Sequence, residues 1–139
     1  MSDPVAPRNT TMAVAASALR AQQARMRVIA ENIANAESTA TTAGGEPYRR
    51  QIPVFQAREI DGATGVALAE VRTDTGDFRS EYDPSHPAAN AEGYVLRPNV
   101  DTLVEAMDMR EAQRAYEANL NVIETARSMD ARTLDILKK

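Results

Sequence analysis

The sequence predicts a mainly α protein, in which long N- and C-terminal helices pair as a coiled-coil-like bundle around a small β-rich or irregular insert. Three observations predict it. Apolar or small residues recur three and four apart near both ends of the chain. That period is lost between Tyr48 and Pro98. Every aromatic residue except Tyr116 falls in that middle stretch.

Taken in order, residues 1–11 hold two prolines and few apolar groups, and read as a segment disordered when free. The first helical segment, 12–37, begins near Thr10 or Thr11, either of which can cap it. One face carries Met12, Ala15, Leu19, Met26, Ile29, Ile33 and Ala36, with Gln22 as the polar interruption. To Ala36 it reaches roughly 37 Å at about 1.5 Å per residue. The β-branched, Gly and Pro residues between Glu37 and Pro47 then stop it.

In the insert, 38–98, Tyr48–Ile60 reads as extended, with Pro53 marking an edge or a bulge. Asp61-Gly62 and Gly65 suggest a turn into a strand over Val66–Arg72, and Thr73–Asp77 turns again. Tyr82 to Pro87 reads as an ordered turn, because both prolines restrict the residue before them. Gly93–Arg97 forms a last short strand. The insert is expected to have little core of its own.

The second helical segment, 99–139, opens with Asn99 as cap and Asp101 in the positive first turn. No Gly or Pro interrupts it before Leu137, which makes it roughly 57 Å long. Its stripe is Met109, Ala112, Tyr116, Leu120, Ile123 and Ala126, followed less regularly by Met129, Leu134 and Leu137. An excess of about 20 Å over the first helix leaves part of that stripe bare if the two pair within one chain. This mismatch is the physical argument for packing between molecules.

Composition narrows the function. The 139 residues make one domain, and an aromatic fraction of 4% without Trp means helices packed through Ala, Met, Leu and Ile. The net charge of −4 divides unequally, with a positive first helix and a negative remainder. That favours pairing of the two ends. A pI near 5.0 and the lack of a basic block argue against nucleic-acid binding. Cysteine is absent, so no disulfide or thiolate metal site exists. No basic segment leads into an apolar one near the start, and the apolar run Met12–Ala16 falls far short of the roughly 20 residues a membrane span needs. A soluble chain with no direct membrane span is expected.

No pattern in the sequence carries catalytic chemistry. Gly44-Gly45 lacks the Gly-Lys-Ser/Thr of a phosphate loop. His86, the only histidine, stands near Asp83 with Asp74 and Asp77 upstream, but no His-x-x-x-His or Cys reinforces them as metal ligands. A hydrogen-bonded turn residue is the plainer reading. The expectation is therefore no catalytic residue, no cofactor and no metal. Asn32 and Asn35 lie three apart near the end of the first helix. Either they cap it, since amides compete for backbone groups, or they bond a neighbouring chain and fix register as buried Asn does in coiled coils. Their place beside Ile29 and Ile33 favours the second. Asn119, Asn121 and Gln22 raise the same question.

The stretch from Ser17 to Thr39, with Glu31-Asn32-Ile33-Ala34-Asn35-Ala36 at its centre, resembles the N-terminal signature of flagellar basal-body rod, hook and related axial proteins. Gly45–Arg50, Tyr82–Ala89, Gly93–Val100 and Glu105–Leu120 resemble that family as well, most of all its proximal-rod members. Together they cover nearly the whole chain. Ala18 stands where relatives often place Gly, and the residues before Met12 do not align with the family's usual start.

The resemblance implies a structural subunit that stacks helically with copies of itself and with other proximal and distal rod proteins, in the basal-body rod within the periplasmic space. It further implies passage through the flagellar type III export apparatus without a cleaved signal. Stripes and resemblance together nominate Leu19, Met26, Ile29, Asn32, Ile33, Asn35, Met109, Tyr116, Leu120, Ile123 and Leu134 as subunit-assembly residues. The competing readings are a free-standing two-helix adaptor and a small metal-dependent enzyme using His86.

Overall fold

A computed structural model of the chain describes residues 6–138, and side chains from Thr10 onward. The order is α1 (Ala6–Ala34), β1 (Gln51–Ile60), β2 (Ala63–Thr73), β3 (Arg79–Tyr82), β4 (Tyr94–Arg97) and α2 (Thr102–Leu137). Two helices frame a β-rich insert, as the periodicity predicts.

Helix α1 begins at Ala6, upstream of the Thr10–Thr11 start read from the sequence. Residues 6–11, expected to be disordered, are helical, while residues 1–5 lie outside the described residues. Pro7 is compatible with this because the first helical turn has no intrahelical partner for its N–H groups. The helix ends at Ala34 and the chain turns through Asn35, Ala36 and Glu37. Helix α2 runs to Leu137 as expected, but its cap differs. Asp101 is the N-cap, its carboxylate accepting from the backbone N–H of Leu103 at 3.0 Å and of Val104 at 3.4 Å. Asn99, the expected cap, is used elsewhere.

The helices lie antiparallel. Asn32 near the end of α1 meets Glu105 near the start of α2, and Arg25 one step back meets Glu111 one step on. By residue count α1 is roughly 43 Å and α2 roughly 54 Å long, so the excess is about half that expected, because α1 starts earlier. Small side chains fill the seam and its surroundings: Ala15, Ala21, Val28, Ile29, Ala36 and Ala112 are buried.

The insert forms two separate two-stranded antiparallel sheets. In the β1–β2 hairpin, Gln51 pairs with Thr73 and Ile60 with Ala63. Asp61 (φ 49) and Gly62 (φ 83) close it, both in the left-handed conformation that a tight two-residue hairpin turn demands. The register shifts between Val54 and Phe55, one residue beyond Pro53, close to the bulge suggested by that proline. Gly65 lies inside β2 rather than in the turn. It is buried against α1, where an added Cβ would stand 2.8 Å from Ser17 Oγ. The β3–β4 ribbon was only half foreseen, since Arg79–Tyr82 is a strand with all four residues exposed and carries no apolar alternation to announce it.

Candidate assembly surface

At the closed end of the helix pair, α1, β1 and α2 meet in a polar corner built by two asparagine amides. The Asn32 carbonyl accepts from Gln51 N–H at 2.9 Å and from the Tyr48 hydroxyl at 2.6 Å. Its amide NH2 donates to the Gln51 carbonyl at 2.9 Å and to Glu105 at 3.4 Å. The side chain thus pairs with both backbone groups of Gln51, as a neighbouring strand would. Asn99 instead ties the residue before Gln51 to a second loop. Its carbonyl accepts from Arg50 N–H at 2.7 Å, and its NH2 donates to the carbonyls of Asp74 and Gly76, each at 3.2 Å.

The charge in this corner is paired. Glu105 is 1% exposed and accepts from Arg50 Nε at 2.5 Å. The same guanidinium reaches Asp74 at 3.4 Å and Asp108 at 3.9 Å. Burial alone would lower the Arg50 pKa, but the hydrogen bond and charge of Glu105, then those of Asp74, carry it upward instead. The Tyr48 hydroxyl is pushed above its ordinary value by burial first, then by the negative charges of Glu31 and Glu105. Both shifts favour a charged Arg50 and a neutral Tyr48, the forms that make these hydrogen bonds.

Neighbouring arginines fasten the loops in the same manner. Arg49 donates to the carbonyl of Gly76 at 3.0 Å and lies 4.0 Å from the Phe78 ring centre. Arg79 donates to the carbonyls of Ala36 and Pro98, and Arg97 to that of Glu37. In its own loop, His86 accepts the Ala88 N–H on Nδ1 at 3.0 Å, a turn-stabilising contact. Among the described residues, no group of three or more His, Cys, Asp or Glu could hold a metal ion.

Away from the corner, α2 is poorly covered. Of its residues only Glu105 and Ala112 are buried. Half-covered positions continue through Met109, Tyr116, Asn119, Ile123, Ala126, Asp130 and Thr133. Large apolar groups lie outside that line, among them Leu103, Met107, Val122, Met129, Leu134, Ile136 and Leu137.

The eleven nominated residues separate on this geometry. Ile29 and Asn32 are buried within the chain, and Leu19, Met26, Met109, Tyr116 and Ile123 are half-covered. Ile33 and Leu120 stand at the solvent boundary, and Leu134 is well exposed. Asn32 does not await a neighbouring chain, since its amide is engaged inside its own subunit. Asn35 follows the capping reading, its amide returning to the Glu31 carbonyl at 2.9 Å. On α2 the less-exposed line passes through Asn119, Asp130 and Thr133 where the apolar stripe offered Leu120, Met129 and Leu134. A stripe read by hydrophobicity alone drifts off the packed line by one position.

Nothing in the sequence singles out Tyr48, Arg50 or Glu105, and Asn99 stands out there only as a helix cap. Glu105 is one turn into a helix and looks like an ordinary acid near a positive helix end. Nothing local announces that Arg50, 55 residues earlier, lies against it.

Comparison with known proteins is extensive. The family described as "Flagella basal body rod protein" matches residues 12–40, and that described as "Flagellar basal body rod FlgEFG protein C-terminal" matches residues 91–136. The chain is 47% identical over 135 residues to the flagellar basal-body rod protein FlgC of Agrobacterium fabrum, covering 95% of this chain and 96% of the relative. It is 42% identical to FlgC of Escherichia coli O157:H7, over 88% of this chain and 92% of the relative. Against FlgC of Bacillus subtilis the identity is 39%, over 90% and 95%.

Proposed function

The chain belongs to the family of flagellar basal-body rod proteins named FlgC, and from that premise we infer how it does its work. It is a structural subunit of the bacterial flagellar basal-body rod and serves motility. Its reading in finer detail is a subunit of the proximal rod that polymerises helically across the periplasm. Its partners are copies of itself and the other proximal and distal rod proteins. The terminal helices supply an inner, coiled-coil-like layer, and the β-rich insert locks or decorates it. The flagellar type III export apparatus delivers the chain without a cleaved signal. No helix of the described residues is long and apolar enough to cross a membrane.

The observation that carries this reading is the nakedness of α2, 36 residues long with two of them buried. A helix of that length gains its stability from an apolar face held against a partner. Covering a single exposed Leu, Ile or Met contributes about 1.5–3 kcal/mol, and α2 offers several along its length. Packing against other subunits supplies that cover. Leu19, Met26, Ile29, Ile33, Met109, Tyr116, Leu120, Ile123 and Leu134 then contribute to the assembly surface, while Asn32 and Asn35 shape the subunit that bears it.

Ile33→Asp and Leu120→Asp test the reading in a strain lacking its own copy of the protein. Both positions touch water in the isolated chain, so circular dichroism of the purified variants should match the parent. A carboxylate buried there between subunits is costly unless paired. Rod assembly and swimming should be lost, and normal swimming by both variants would overturn the assignment.

A further inference from the structure

The β3–β4 ribbon is built the wrong way round for a surface that meets only water. Paired residues of an antiparallel ribbon share a face, and neighbours along a strand alternate. Arg79, Glu81, Val95 and Arg97 therefore form one face, and Ser80, Tyr82, Tyr94 and Leu96 the other. The charged face turns inward. Val95 is 0% exposed, Arg79 donates to the carbonyls of Ala36 and Pro98, and Arg97 donates to that of Glu37. The uncharged, aromatic face turns to solvent, with Tyr82 65% and Tyr94 43% exposed. An antiparallel sheet with one solvated face ordinarily places its polar residues there.

The two rings are held in place although they are exposed. They meet edge to face with centres 5.3 Å apart. Gly93, at φ 89, gives Tyr82 its seat, since a Cβ there would stand 2.9 Å from Cε2 of the ring and 3.1 Å from Pro84. A partner settling on an aromatic pair already ordered loses little entropy.

Beside the rings lies an open strand edge. Among the described residues β3 pairs with β4 alone, and the Asp83 N–H donates to the Gly93 carbonyl at 2.9 Å. By the alternation of an antiparallel ladder, the N–H and C=O groups of Ser80 and Tyr82 then point away from β4. We propose that this edge takes an extended segment of another protein as a third strand, with an arginine of that segment lying on the Tyr82–Tyr94 pair. Strand addition of this kind draws affinity from the main chain and specificity from alternate side chains. The contact rests on the rod reading above for the setting in which that protein is met.

Charge selects the arginine. Asp83 and Glu92 flank the tyrosines in sequence, and neither makes an ion pair among the described residues, Asp83 accepting from the Ser85 hydroxyl at 3.0 Å. A guanidinium gains from an aromatic face and from adjoining carboxylates together. Arg49 over Phe78 at 4.0 Å is a contact of the same kind within this chain. The same face of a second copy offers no cation, because its Arg79 and Arg97 are turned inward. Size sets the strength. A four-residue edge covers far less than the roughly 800 Å² per partner of a stable pairwise interface, so the contact forms where the segment is held close at high effective concentration.

Amide hydrogen exchange of the full-length chain, isolated and within basal bodies purified from swimming cells, reads the edge directly. The Ser80 and Tyr82 amides should exchange at once in the isolated chain and severalfold more slowly in the particle. Equal exchange in both would overturn the proposal. Ser80→p-benzoylphenylalanine, irradiated in the same cells, should crosslink to an arginine-bearing segment of a different protein. Crosslinks to copies of this chain alone, to a segment without arginine, or to nothing would overturn it as well. Tyr82→Ser combined with Tyr94→Ser should lower the crosslink yield severalfold and leave the Tm of the isolated chain near that of the parent. An unchanged yield would remove the aromatic seat. Where that pair unfolds the chain, Glu92→Arg at an exposed site replaces it and should lower the yield likewise. Absence of the chain from purified basal bodies would refute the rod reading and the contact with it, whereas presence with an unprotected edge refutes the contact alone.

Discussion

Asn32 and Asn35 sit three residues apart with the same side chain, and the structure predicts that replacing them has very different effects. Asn32→Ala removes three well-formed bonds, to both backbone groups of Gln51 and to the Tyr48 hydroxyl, and the longer contact to Glu105. Each such bond contributes about 1 kcal/mol net, and more where the abandoned partner stays dry. The sum is about 3 kcal/mol, a large share of the 5–15 kcal/mol typical of a folded domain. Asn35→Ala removes one exposed bond to the Glu31 carbonyl, so its effect should stay within about 0.5 kcal/mol. Thermal unfolding followed at 222 nm measures both. At this chain length Asn32→Ala should lower the Tm by roughly 10 °C, and Asn35→Ala by no more than about 2 °C. Equal small shifts would refute the corner as a stabilising joint. Loss of swimming by Asn32→Ala with an unchanged Tm would return the amide to a role between subunits.

Other outcomes follow from single sites. The side-chain oxygen of Gln22 is the buried polar atom without a hydrogen-bond partner among the described residues, so Gln22→Met should raise stability by about 1 kcal/mol in urea unfolding. Gly65→Ala drives a methyl group into Ser17 Oγ and the tip of Ile60, and should cost about 1–3 kcal/mol and loosen the hairpin from α1, detectable as faster amide exchange in β2. Because the Tyr48 pKa is raised above 10.0 in the fold, its contribution is fully present below that value and is lost as pH climbs through the folded-state pKa. Stability measured from pH 8 to 11 should therefore fall more steeply in the parent than in Tyr48→Phe, which starts lower for want of the bond to Asn32. Parallel curves would count against it.

Both helices were legible because each repeats one physical requirement over many residues. The 3.6-residue period survives local exceptions such as Gln22, and Pro53 and Asp61-Gly62 each have a single structural use that places the hairpin. The polar corner was illegible for the opposite reason. Glu105 and Arg50 meet only because the hairpin base is held against the helix ends, and that is a property of the whole fold. Asn32 shows the limit most clearly. Its spacing and neighbours suit a register device between helices, and its actual partner is the backbone of Gln51 in the same subunit, which no pattern within α1 encodes. Asn99 likewise carries a capping residue's chemistry at a helix start, yet Asp101 caps the helix and Asn99 holds the loops. The edges of α1 were misplaced because prolines and polar residues near a terminus look like disorder, although the first turn of a helix tolerates both.

The predominance of alanine among the buried apolar residues gives the subunit an inverted sensitivity to change. Where bulky side chains fill an interior, trimming one leaves a hole and is the damaging direction. Ala15, Ala21, Ala36 and Ala112 are buried and have almost nothing to trim, and Ala21 borders the hairpin beside Val66 and Leu68. Growth by even one or two carbons at these places would push apart the elements packed there and alter the outline that each subunit presents to the next. Mutations that abolish swimming should therefore gather as enlargements along this line, while the same line tolerates glycine with little more than a propensity loss of about 1 kcal/mol.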